Sequence, residues 1–496
     1  PCMTVVGQTA GAVVEARERV RIALANCGHP VPPRRQVVNL APASERKESP
    51  GIDLAIAAGL LGAHEIIPAD SLGSTVLWGE LGLDGSLRGA AGTLVVVDCA
   101  RRNGFKTVIV AGASAREASL VPGIEVLAAD TLGELIAHLR GEAKLTLARS
   151  HPSLQQACTS TEFEPRWHAG ETLDMADIRG LALARRGLEV MVAGGHNLLF
   201  YGPPGVGKTM LARRAATLYP QLDREASLEV TRVHSVAVAK QAKALIETVP
   251  VRSPHHTISP AGLLGGGAPP RPGEVSLAHH GLLFLDELPE FSRRCLEGLR
   301  EPLEDGCVQI VRAKYNVAYP ARFQLMATMN PCPCGYLGHP ERTCTDGPGS
   351  VARYQNKVSG PLLDRMDLVV PVLPISAQEL ARRQPSESSR EIRKRVTQAR
   401  ERQGRRLVET PWRTNAAIPA SGTWMDRWCQ LSPEAERILT AAARRTSLSP
   451  RAQHRLRRVA RTIADLDPNR EPGSPLGTRE IAEAIKLRRL PEFVRP

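Results

Sequence analysis

The sequence predicts an α/β fold, a parallel sheet flanked by helices, and three stretches carry that prediction. The first is HNLLFYGPPGVGKT (196–209): a short apolar run suited to a buried parallel strand, a glycine-rich turn, then a helix expected over 210–217. The second is GLLFLDE (281–287), four apolar residues that end in Asp286 and Glu287. The third is FQLMATMN (323–330), another apolar strand, which ends in Asn330.

The turn in the first stretch runs Gly202, Pro203, Pro204, Gly205, Val206, Gly207, Lys208, Thr209 and meets G-x-x-x-x-G-K-[ST] at every specified position. Glycines let backbone N–H groups turn inward around phosphate oxygens, and the following helix offers its positive end to them. Lys208 reaches the β- and γ-phosphates, and the Thr209 hydroxyl takes a Mg²⁺ position. The chain is therefore expected to bind ATP with Mg²⁺. Asp286 suits the Mg²⁺ shell and Glu287 the base that orients an attacking water. An apolar run ending in Asp-Glu is common alone; downstream of a P-loop it reads as the second half of one site.

At 496 residues the chain exceeds what one core supports, and two to four domains are expected. A hydrophobic content of 42% marks a globular protein. No apolar run reaches the ~18 residues of a membrane helix, so no membrane association is expected. The first residues lack a charged region followed by an apolar one, as a secretion signal would have. Ten cysteines without a disulfide-like array point to a reducing cytoplasm. The formal charge of +13 is uneven: residues 381–496 hold 26 of the 64 Lys+Arg and 13 of the 51 Asp+Glu, a net charge equal to that of the whole chain. A basic end on a neutral body fits a nucleic-acid contact, and equally a solvated helical face with nucleotide-sensing arginines.

In chain order, residues 1–140 read as a small α/β domain. A helix is expected over 14–26, a strand over 36–40, a helix over 53–63, and a hairpin over 75–87 with Asp84-Gly85 at its turn. Segments 93–102, 107–111, 124–127 and 131–139 then alternate helix and strand. Residues 141–172 are polar and serve as a linker. Residues 173–378 form the nucleotide-binding core, opened by a helical lead-in over 174–192 and carrying a hairpin over 301–315. The basic region 379–496 is helical from near Ser432 and irregular before it, around WRTNAAIPASGTW (412–424).

VVNLAPA (37–43), DLAIA (53–57) and GELGLDGSLRG (79–89), together with the nucleotide motifs, resemble the magnesium-chelatase-like AAA+ proteins of the YifB/ComM family. The resemblance implies an S5-like, Lon-protease-like α+β domain over 1–140, an AAA+ core and an α-helical C-terminal lid, assembled as a hexameric ring. Pro1 matches a point roughly thirty residues into a family member, so a first hairpin is expected to lie outside this chain. Lon-type proteolysis needs a lysine near position 94; Leu94 stands there, and Ser49 near the nucleophile's place has no base, so the domain is expected to be proteolytically inactive. Asn330 takes the place of the sensor that positions water near the γ-phosphate. Arg365 in GPLLDRMDL (360–368) takes that of the arginine finger, often supplied by a neighbouring subunit. Arg451 in SPRAQHRLRRVARTIADL (449–466) takes that of the second sensor on the lid helix. Relatives carry Gly-Gln in the lead-in; this chain has Gly180-Leu181.

The stretch 252–281, with PRPGE at 270–274, matches the insertion typical of these proteins. His255, His256, His279 and His280 within it lack the i, i+4 spacing of helical zinc motifs and read as loop and packing residues. Arg312 and Lys314 sit on the expected hairpin, which in the relatives' rings faces the channel where DNA phosphates pass. Cys332, Cys334, Cys344 and Asp346 occupy places where many relatives have two C-x-C pairs; a small Zn²⁺ loop and a degenerate loop of reduced thiols are both open. The leading expectation for function is an ATP-hydrolysing motor that drives DNA branch migration. Alternatives are the ATPase partner of a metal-inserting chelatase, although no D-x-S-x-S occurs in this chain, a Lon-like unfoldase, and a scaffold.

Overall fold

The computed structural model describes residues 3–7, 11–42, 49–152, 173–238, 242–312, 315–375, 386–420, 422–446 and 448–489. They form two compact units that do not follow the chain in simple order: 224–246, which lies between the two nucleotide motifs in sequence, belongs with the N-terminal unit.

In the N-terminal unit a four-stranded sheet runs in the order Thr75–Trp78, Thr107–Ala111, Glu125–Ala129, Thr146–Leu147, the first three strands parallel and the last antiparallel. Side chains alternate across it. Ile109, Ala111, Leu127 and Ala129 face the core built with helices Gly11–Asn26 and Asp53–Ala63, while Val108, Val110, Val126 and Ala128 face helix Thr93–Arg102. The hairpin expected over 75–87 is shorter than that: Glu80–Leu81 pairs with Leu87–Arg88, and Thr75–Trp78 instead joins the parallel sheet beside Thr107–Ala111. Ser49 caps the short turn Pro50–Ile52, its hydroxyl accepting from the Gly51 N–H, and Leu94 is fully buried.

Helix Arg224–Val238 packs in this unit against Thr93–Arg102. Leu228, Ala242 and the partly buried Leu245 join Leu94 and Val97 in one apolar cluster. Beside it, the buried Asp98 carboxylate pairs with Arg101 at 2.7 Å and Arg102 at 2.9 Å, and also with Arg232 of the 224–246 segment. Burial alone would raise the Asp98 carboxyl; the surrounding Arg101, Arg232 and Arg102 hold it below the ordinary carboxylate range.

In the second unit a five-stranded, all-parallel sheet has the order Val251–Arg252, Leu282–Leu285, Gln324–Met329, Leu198–Tyr201, Leu368–Pro371. Both faces are covered, which is why its strands read as unbroken apolar runs: Leu198, Phe200, Leu282, Phe284, Leu368 and Val370 face one core, and Leu199, Leu283, Leu285, Leu325 and Val369 the other. The lead-in expected as one helix is broken. A short turn Met175–Asp177 is followed by Gly180 and Leu181 at positive φ, and only then by helix Ala182–Gly194. Residues 301–305 continue helix Arg300–Asp305, and the hairpin is Cys307–Arg312 with Tyr315–Pro320. Helices also start far earlier in the basic region than near Ser432. Ser389–Arg406 is an 18-residue helix opened by a reciprocal capping box between Ser388 and Glu391, and Gly422–Trp428, Pro433–Thr446, Pro450–Leu466 and Thr478–Leu487 follow. Among the described residues no helix is long and apolar enough to cross a membrane.

Removing the Asp98 carboxylate leaves three guanidinium groups without their common partner. Asp98→Ala is expected to cost about 2 kcal/mol, less than a fully buried pair because the arginines keep some solvent. Hydrogen exchange should quicken first in 224–238 and 93–102. Because the folded carboxyl titrates below its unfolded value, this contribution is present above that unfolded value and is lost as pH falls through the folded one.

Candidate nucleotide site and cysteine loop

Strand Gln324–Met329 lies between the strand that ends at Tyr201 and the strand that ends at Leu285. Asn330 therefore leaves the sheet between the glycine-rich turn and Asp286-Glu287, three features spread over more than a hundred residues of chain. Gly207, at φ +90°, ends the turn in a conformation that disfavours any side chain, and helix Lys208–Ala215 starts directly after it. The Lys208 ammonium is buried and donates to Gly202 O at 2.6 Å, Pro203 O at 2.8 Å and Asn330 Oδ1 at 2.9 Å. Thr209 Oγ1 donates to Asp286 Oδ2 at 2.9 Å. Lys208, Thr209, Asp286 and Asn330 are thus brought together.

Thr328 is a residue the motif reading passes over. Its hydroxyl donates to Asp286 Oδ1 and accepts from the Glu287 backbone N–H at 3.0 Å, fixing both acids from the neighbouring strand. Glu287 itself sits at φ +54°, a conformation rare outside glycine and asparagine, just past the C-terminal end of strand Leu282–Leu285. Burial pushes the Lys208 ammonium down to about 8, against the opposing pull of Asp286 and Glu287. Beside the helix start, an open cleft of about 320 Å³ is lined by Leu173, Thr209, Met210, Arg213 and Arg214. Leu181 packs near Gly207.

The two arginines assigned by resemblance are placed differently. Arg365 is mostly buried, donates to Pro361 O at 2.7 Å and forms an ion pair with Glu304 of its own chain. Arg451 is exposed on the first turn of helix Pro450–Leu466, and among the described residues no hydrogen bond or ion pair joins it to the nucleotide motifs. One turn further along, Arg455 lies 3.6 Å from the buried Asp367, which also accepts from the Asn197 N–H. Burial would raise Asp367, yet His196 and Arg455 hold its carboxyl far below the usual range.

Cys332, Cys334 and Cys344 place their sulfurs 3.4, 3.5 and 3.6 Å apart, too far for disulfides and close to the ~3.8 Å edge of a tetrahedral thiolate site with ~2.3 Å metal–sulfur bonds. Asp346 Oδ2 stands 3.8 Å from Cys344 Sγ and accepts from the Cys334 N–H at 2.8 Å. All four ligand atoms lie within 4.8 Å of one another, so these residues fit a divalent cation that prefers sulfur. Of the histidine pairs, His279 is buried and accepts from the Arg322 N–H, and His255 meets the Thr257 hydroxyl.

Arg312 ends strand Cys307–Arg312 and is exposed, while Lys314 lies outside the described residues. Much of the basic end is spent inside the fold. Arg400 donates to Val192 O, Arg402 to Asp465 O and Asp467 O, and Arg458 to Ala416 O. Arg406 and Arg461 share Asp465, and Arg395 pairs with Glu189. The charge excess therefore does not by itself mark a surface. Arg390, Lys394, Arg405, Arg444 and Arg445 remain exposed.

A parallel sheet with a glycine-rich turn, a buried lysine and an acidic strand end defines a P-loop nucleotide-binding class of α/β protein. Family models agree: residues 174–380 match "Magnesium chelatase, subunit ChlI", 1–114 match "Subunit ChlI of Mg-chelatase", and 386–488 match "Magnesium chelatase, subunit ChlI C-terminal". The chain is 41% identical over 492 residues to YifB of Salmonella typhimurium and 40% identical over 496 to YifB of Escherichia coli. It is also 40% identical over 492 residues to the competence protein ComM of Haemophilus influenzae; each match covers 98% of this chain and 92% of the relative. The chain belongs to the YifB/ComM family of magnesium-chelatase-like AAA+ proteins, a family whose chemistry implies ATP and Mg²⁺.

The charge of Lys208 gives a pH test. Its ammonium is the phosphate-binding form, so affinity for ATP should be full well below pH 8 and fall as pH rises through about 8. Titrations of a fluorescent ATP analogue across that range should show the decline, and Lys208→Arg, which keeps its charge, should flatten whatever binding it retains.

Proposed function

We propose that this protein is an ATP-hydrolysing ring motor that remodels DNA, driving branch migration when incoming strands recombine. The observation that carries the ATPase reading is the convergence of Lys208, Thr209, Asp286 and Asn330 at the ends of three adjacent parallel strands. Lys208 exchanges its loop carbonyls for β- and γ-phosphate oxygens, and the turn's N–H groups hold the rest of the phosphate chain. Thr209 and Asp286 would hold Mg²⁺, which when bound would supply charge neutralisation on the phosphate oxygens. Glu287 accepts the proton of the attacking water and Asn330 orients that water. The cleft beside Leu173 and Met210 takes the nucleoside. In the ring, Arg365 leaves Glu304 and reaches a neighbour's γ-phosphate, and Arg451 closes from the lid.

The DNA reading is supported by the competence name of one relative and by the exposed Arg312 on its hairpin. Zinc is the cation we assign to the cysteine loop, where it supplies a structural cross-link held by Cys332, Cys334, Cys344 and Asp346. The second reading is an ATPase subunit of a chelatase-type complex, favoured by the names of the matching family models. Adding branched, single-stranded and duplex DNA to an ATPase assay separates the two. A motor is stimulated by DNA and its binding weakens steeply with salt; DNA-independent hydrolysis without salt-sensitive binding favours the chelatase type.

Lys208→Ala should abolish ATP binding, whereas Glu287→Gln should keep binding and reduce hydrolysis at least ~100-fold. Wild-type turnover by the Glu287 variant would remove it as the base. Arg365→Ala subunits should bind ATP but hydrolyse poorly, and mixing them with Lys208→Ala subunits should restore part of the rate if the finger acts between chains. Neutralising Arg312 and Lys314 together should blunt the DNA response and leave basal hydrolysis largely intact.

A further inference from the structure

The cysteine loop touches the nucleotide site on two sides. On one side it continues the strand Gln324–Met329: Asn330, which accepts from Lys208 Nζ, is two residues before Cys332, and the intervening Pro331 is buried with its carbonyl held by Gln355 Nε2 at 2.8 Å. On the other side Gly335, buried and at φ +83°, lies directly against the phosphate-binding turn. A methyl group added there would stand 2.5 Å from Pro204 Cδ and 3.1 Å from Cγ.

Among the described residues the tip of the loop is tied only to itself by side chains: Arg342 donates to the Tyr336 hydroxyl at 2.7 Å, and the Glu341 and Arg342 N–H groups donate to His339 Nδ1 at 3.1 Å. Between Asn330 and Gly347 the described chain forms neither helix nor strand, and Leu337 and its polar neighbours are exposed. The cluster joins the two ends of the loop: the Leu337 N–H donates to Cys332 Sγ at 3.3 Å, the Cys334 N–H donates to Asp346, and the three sulfurs converge. Neutral thiols make only weak contacts with one another, whereas a bound cation ties residues 332 and 346 rigidly together.

We propose that this loop is a metal-dependent brace for the glycine-rich turn 202–209: a thiolate-bound divalent cation holds Gly335 against Pro204 and Asn330 beside Lys208, and so sets the affinity of the site for nucleoside triphosphate. The proposal rests on the ATP-binding reading and on the loop holding a cation. Loss of the cation frees the turn from one wall and the sensor from its anchor, which weakens binding as well as turnover.

The test compares wild type, Cys334→Ser and Gly335→Ala, purified without chelators. Zinc per chain is read by elemental mass spectrometry, affinity by titration with a fluorescent ATP analogue, and folding by circular dichroism. Wild type should carry about one zinc per chain, and Cys334→Ser should lose it. Affinity in Cys334→Ser should drop roughly fivefold or more. Gly335→Ala keeps all four ligands, so it should retain zinc and still lose affinity, because its methyl displaces Pro204; it carries the test if Cys334→Ser does not fold. Zinc lost from Cys334→Ser with affinity within about twofold of wild type would overturn the brace, as would Gly335→Ala retaining both zinc and affinity. A wild type without metal removes the brace with its premise, and a wild type that binds no nucleotide overturns the ATP reading instead.

Discussion

The nucleotide site depends on one act of strand pairing. Gln324–Met329 hydrogen-bonds in parallel with both Leu198–Tyr201 and Leu282–Leu285, and the contacts that join the turn, the two acids and Asn330 depend on that placement. It sets Thr328 beside Asp286 and Glu287, and Asn330 beside Lys208. Because all three strands are buried on both faces, slipping the register by one residue would exchange the two cores, so packing locks the site's geometry far more firmly than its own hydrogen bonds do.

Arginine does a second job throughout the second unit. Buried carbonyls and carboxylates at helix ends need donors, and the planar guanidinium supplies several from one side chain. Arg402 serves three carbonyls near the end of helix Pro450–Leu466, and Arg406 and Arg461 meet on Asp465 in the interior. Arg365 falls in the same pattern through Pro361 and Glu304. Under the proposed finger role, acting across a subunit boundary would require Arg365 to exchange Glu304 for another anionic partner.

The N-terminal unit illustrates a different economy. Its helix Thr93–Arg102 carries Leu94 rather than a lysine, and the surface of that helix is occupied by Arg224–Val238 through Leu228, Arg232 and Glu225. A segment that belongs in sequence between the two nucleotide motifs is thereby folded into the unit that has none of them.

The phosphate-binding turn, the acidic strand end and the alternation of strands and helices were legible in the sequence because each rests on local rules: glycine where φ is positive, apolar runs where both sheet faces are covered, a short spacing between lysine and threonine. The Ser388–Glu391 capping box was equally local and marks a helix that the run of charges masked. Other features could be settled only in three dimensions. The positive φ at Leu181 and Glu287 is imposed by packing that no neighbouring residue announces. Which arginines face solvent depends on distant carbonyls such as Val192 O and Ser474 O. The convergence of Cys332, Cys334, Cys344 and Asp346, and the contact of Gly335 with Pro204, arise because a loop more than a hundred residues downstream is carried back by the central strand. Sequence determines which groups exist and their local conformation; the order of strands in the sheet decides which of them meet.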